Sequence, residues 1–124
     1  MEKIYRDEEV LELTRGSYII HDASVTKFDI HMQEHRLYVD VYFTSIISSK
    51  RIAQTKFKLR FIDVIRYDLL WDVTYYFYNV ERYKLLKTDI GFYISLDPVD
   101  ETDTPGEHDG DVIISKSIEG YLID

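Results

Sequence analysis

The chain has 124 residues, no cysteine, and a hydrophobic fraction of 45% against 31% charged residues, which suits one self-folding domain and excludes a disulfide scaffold or thiol chemistry. Its net charge of −8 is concentrated: residues 97–111 carry seven acids and no lysine or arginine, which leaves sixteen acids against fifteen bases elsewhere. That imbalance argues against nucleic acid and favours a cationic partner or no partner at all.

No window approaches the roughly 20 apolar residues of a membrane span, and "MEKIYRDEEV" lacks a signal peptide's apolar centre. The expectation is a cytoplasmic protein with no membrane contact.

"RDEEVLELTRG" is punctuated as a helix. Asp7 is placed to cap it, Glu8 and Glu9 suit the positive end of the dipole, Arg15 the other end, and Gly16 the stop. Val10 and Leu13 give it one apolar edge, so it is expected to lie as a lid on a larger element.

From Ser17 the period becomes two. In "VTKFDIHMQ" Phe28, Ile30 and Met32 alternate with Lys27, Asp29 and His31, and in "RLYVDVYF" Leu37, Val39, Val41 and Phe43 alternate with Tyr38, Asp40 and Tyr42. The short "QEH" between them predicts an antiparallel hairpin. "TKFKLRF" repeats the pattern, with Phe57, Leu59 and Phe61 inward and Lys56, Lys58 and Arg60 outward.

"IDVIRYDLLWDVTYYFYNV" is apolar throughout and has no glycine or proline to divide it. It reads as a bend near Tyr67 to Asp72, with a short helix around Leu69 to Trp71 as the alternative, followed by a strand through "TYYFYNV". In that strand Tyr75, Phe77 and Asn79 share one face and Tyr76, Tyr78 and Val80 the other. "YKLL" and "GFYISL" form a hairpin around "KTD", with Ile90, Phe92, Ile94 and Leu96 on one face. "DVIISKSIEGYLI" is the last strand, with Gly120 as a bulge or a close backbone approach. The predicted fold is mainly β: a strongly curved antiparallel sheet or partly open barrel of six or more strands, with a short N-terminal helix.

Candidate chemistry is sparse. Setting Gly110 at the invariant glycine of an EF-hand puts Pro105 and Lys116 at its two anchor positions, so the acidic segment is not that calcium loop. His21 and Asp22 form the dipeptide of metal phosphohydrolases without the further ligands, and His31, His35 and His108 lack zinc-motif spacing. No nucleophile elbow or phosphate-binding glycine loop exists. The residues therefore predict no metal, no cofactor and no catalysis; a hydrolase using His21 and Asp22, or a small-ligand pocket on the inner sheet face, is the alternative.

Eleven tyrosines point to an interface, because a phenol offers area and a hydrogen bond at low entropic cost. The predicted partner-binding set is Asp97, Asp100, Glu101, Asp103, Glu107, Asp109, Asp111, Tyr76 and Tyr78, with the acidic segment free to order on a basic protein.

"IIHDASVTKFDI", "FKLRFIDV" and "GFYISLDPVDE…DVIISKSIEGYLI" resemble a pattern of small bacterial β proteins, some of them immunity proteins of toxin systems. The resemblance covers three separated blocks and carries over no functional residue. It implies a bacterial, cytoplasmic, non-catalytic binding protein and names no particular partner; with the acidic segment and the tyrosines beside it, the expectation is an immunity-type inhibitor of a basic toxin, of open oligomeric state.

Overall fold

The computed structural model describes residues 3–15, 20–47, 53–69 and 80–123. They form β1 (Lys3–Arg6), α1 (Glu8–Thr14), β2 (Ser24–Gln33), β3 (Arg36–Ile47), β4 (Ala53–Asp68), β5 (Lys84–Thr88), β6 (Gly91–Asp97) and β7 (Gly110–Ile123). The strands make one antiparallel seven-stranded sheet in the order β2-β3-β4-β7-β6-β5, with β1 also on β7, and the sheet does not close into a barrel. Of the two shapes expected, the open sheet is the one adopted.

The alternation in β3 and β4 works as read. Val39, Val41, Phe43, Phe57, Leu59 and Phe61 are at most 1% exposed and form the inner face with Phe92, Ile94, Leu96, Ile113 and Ile118. α1 covers part of this face through fully buried Val10, as expected of a lid. Among the described residues this inner face is filled by packed side chains.

Several local expectations are corrected. A strand, β1, precedes the helix and pairs with β7, Tyr5 opposite Gly120. Asp7 stands at the N-cap position but its side chain does not cap: at φ 50° it turns toward β7, where Ser117 Oγ and the Ile118 N–H donate to its carboxylate at 2.8 and 3.0 Å. Glu9 instead reaches back to accept the Arg6 N–H at 2.9 Å. Ile30 and Met32 are 43% and 67% exposed, because β2 borders the sheet beyond the reach of the helix. Ile90 is 62% exposed, because the hairpin turn is Asp89 and Ile90, with Thr88 paired to Gly91.

β4 runs on through Tyr67 to Asp68, and the rest of the expected bend, from residue 70 to Asp72, lies outside the described residues. β4 is kinked earlier, by Asp63 at φ 57° and a one-residue shift of register against β7 between Val64 and Arg66. The predicted strand from Thr74, the Trp71 helix and Gly16 lie outside the described residues, apart from Val80, whose N–H and carbonyl bond Ala23 and Asp22. The β2–β3 turn is tighter than expected: Glu34 and His35 both have positive φ, the type I′ geometry that two-residue hairpins favour.

Gly120 is a close approach and not a bulge. A Cβ there would lie 2.9 Å from Phe57 Cζ and 3.4 Å from Val10 Cγ2. Phe57 is fully buried and cannot withdraw. Gly120→Ala should therefore cost about 2 kcal/mol in a denaturant titration, and adding Phe57→Leu should recover part of that loss. Additive losses from the two changes would show that the contact is not the cause.

Candidate functional site

The acidic segment is folded around a lysine. β5 begins with Lys84, whose side chain is 2% exposed and whose ammonium lies 3.0 Å from Asp109, itself fully buried, and 2.9 Å from Asp100. Its Nζ also donates to the Thr104 carbonyl at 2.9 Å. Asp109 accepts further bonds from Tyr93 O–H (2.7 Å), the Val99 N–H (2.9 Å) and the Gly106 N–H (2.7 Å). One carboxylate thus gathers both ends of the loop onto the outer side of β5 and β6, over the apolar patch of Leu86, Tyr93, Val112 and Ile114.

Burial opposes charge on Asp109, but the bonds from Tyr93, Val99, Gly106 and Lys84 outweigh it and hold the carboxyl down at about 2. Asp100 is lowered by its bond to Lys84 and by those from Thr102. Burial works against the Lys84 ammonium, and its bonds to Asp100 and Asp109 more than compensate, so its pKa is raised. Burial and the Asp109 bond push the Tyr93 phenol up, so it stays a neutral donor.

The depressed carboxyls contribute stability above their ordinary range near 4, lost as pH falls through the folded values. The raised lysine contributes stability below about 10.5, lost only as pH rises through its folded value. Urea midpoints should fall between pH 4 and pH 2, and Asp109→Asn should be less stable at neutral pH with a flatter fall. Parallel curves for the two proteins would remove Asp109 as the cause.

The seven acids therefore divide. Asp109 and Asp111 are buried, Asp100 serves Lys84, and Asp97, Glu101, Asp103 and Glu107 are exposed. The ordering expected from a partner is supplied by the chain itself. Tyr76 and Tyr78 lie outside the described residues. Two clefts flank the loop: one of about 630 Å³ toward α1, lined by Leu11, Tyr83, Glu101 and Asp103, and one of about 650 Å³ lined by Ile90, Tyr93, Glu107 and Ile114.

The outer face of β2, β3, β4 and β7 carries two cross-strand rows. Lys27, Tyr42, Lys58 and Tyr121 face one another in one, and Asp29, Asp40, Arg60 and Glu119 in the other. Asp40, expected in solvent, is 1% exposed and grips Arg60 with both oxygens, at 2.9 and 3.0 Å. That pairing, with the Asp40 charge beside it, raises the guanidinium's pKa despite its partial burial.

Asp29, His31 and Asp40 bring ligand atoms within 4.8 Å of one another, but the Arg60 guanidinium already holds both oxygens of Asp40. His21 Nδ1 lies 3.1 Å from its neighbour Asp22, and both side chains are exposed.

Lys84 is the residue sequence reasoning missed. Its signal was a lysine on the same strand face as Leu86, in a strand pair that leads into a loop without bases. Comparison with family models, with curated proteins and with solved structures gave no match.

Proposed function

We propose that the chain is a non-catalytic interaction module that presents Glu101, Asp103 and Glu107 to a basic partner protein. The observation that carries this reading is the Lys84–Asp109 anchor, which holds an acidic loop in place before any partner arrives. Clustered exposed carboxylates attract a cationic surface at long range, and a loop already held loses little entropy on binding. The flanking clefts offer recesses for the partner's side chains. An immunity-type inhibitor of a basic toxin, in a bacterial cytoplasm, is the form of this function that the sequence resemblance supports.

The test is capture from source-organism lysate on the wild-type chain, on Glu101→Gln/Asp103→Asn/Glu107→Gln, and on a Glu12→Gln/Glu34→Gln control. A basic protein should be retained by wild type and control and lost from the loop variant. Its stopped-flow association with wild type should slow steeply with salt, and more steeply than with the variant. Equal association rates and salt slopes would sink the proposal.

A further inference from the structure

Opposite in sign to the acidic loop, the outer face of β2, β3 and β4 gathers lysines that form no ion pair among the described residues. Arg6, Arg36 and Arg60 each have a carboxylate, from Glu119, Asp63 and Asp40. Among the described residues Lys27, Lys56 and Lys58 have none. The register brings them together: Tyr42 stands opposite both Lys27 and Lys58, and Lys56 follows on the same side of β4 opposite Thr44. A bulge between Val25 and Lys27 sets this alignment, leaving Thr26 as the extra residue. Beside the lysines a mainly apolar cleft of about 260 Å³, lined by Phe43 and Phe57, opens between Thr26, Tyr42, Lys56 and Ile123.

We propose that Lys27, Lys56 and Lys58, with the hydroxyls of Tyr42 and Thr44, form an oxyanion-binding surface for an extended acidic segment of a partner protein. Three ammonium groups, from β2 and β4 on either side of β3, are compact donors suited to carboxylates presented along an extended chain. Nucleic acid offers oxyanions too, but two features disfavour it. Its single-stranded forms are held by stacking bases on aromatic faces, and here those faces are occupied. The ammonium groups of Lys27 and Lys58 lie 5.3 and 5.7 Å from the Tyr42 ring centre, and Lys58 and Arg60 lie 4.4 and 5.8 Å from that of Tyr121. His31 stacks on Tyr38 at 5.3 Å. A chain of net charge −8 also repels a densely charged phosphate backbone more than a short run of carboxylates.

The experiment is fluorescence anisotropy with a labelled oligoglutamate peptide, its oligoglutamine counterpart, and an oligothymidylate of equal charge. Wild type should bind oligoglutamate saturably and in a salt-dependent way, and oligoglutamine not at all. Lys56→Gln/Lys58→Gln should weaken binding about tenfold. Lys116→Gln, an exposed lysine elsewhere on β7, should leave it unchanged, and Lys56→Arg/Lys58→Arg should retain it, which separates loss of charge from loss of fold. Tighter binding of oligothymidylate would assign the face to nucleic acid and overturn the proposal. Absent saturation, or equal affinity of wild type and the glutamine variant, would overturn it as well.

Discussion

Asp109→Ala should lower the melting temperature by roughly 10 °C, the largest loss of any single change in the acidic segment. The substitution strands the Tyr93 hydroxyl and the Val99 and Gly106 N–H groups, and leaves the buried Lys84 ammonium with Asp100 as its remaining carboxylate. The Lys84 side chain is 2% exposed and the Tyr93 and Gly106 donors are part-buried, so what they lose is not fully replaced by water, which is why one carboxylate outweighs the surface acids around it. Asp103→Asn, on the exposed side of the same loop, should leave the melting curve within about 2 °C of wild type. Thermal melts of the two variants decide the matter; comparable small shifts would mean that Asp109 does not organise the loop.

Arg60→Ala should destabilise the protein by about 3 kcal/mol in urea titration, because it leaves the Asp40 carboxylate buried without its two-point partner. Asp29 stands directly across β2 from Asp40, so removal of the guanidinium also exposes two like charges to each other. Arg60→Lys should fall between, since an ammonium keeps the charge and loses the fork. The variant Asp40→Asn/Arg60→Gln should be more stable than Arg60→Ala, because no unpaired charge remains. If Arg60→Ala matched the double variant, the stranded carboxylate would not be the source of the loss.

Strict alternation made β3, most of β4, β6 and β7 legible, because Val39, Val41, Phe57, Leu59 and their neighbours face a real core. The same pattern misled in β2. Periodicity reports which residues share a face and not whether anything covers it, so Ile30 and Met32 read like core. β1 was hidden because "KIYR" is too short to show a period beside a strong helix signal. The acidic segment was legible as a loop and not as a folded one. Its order depends on Lys84, thirteen positions before its first acid, and only the pairing of β5 with β6 and β6 with β7 brings the two together. Asp40 was placed on the correct face, but its burial follows from the Arg60 and Asp29 side chains across two other strands.

The position of β7 has a consequence for the order in which the chain becomes itself. It is the last of the described strands in chain order, yet it lies between β4 and β6 and also receives β1. Until it arrives, the β2–β3–β4 meander and the β5–β6 hairpin are separate fragments, each with a row of unpaired backbone groups along the edge that β7 will occupy. A nascent chain still lacking β7 has the other described strands but nothing to join them into one sheet. Its vulnerable interval is the one before β7 emerges, when both half-sheets are exposed to pairing with the wrong neighbour.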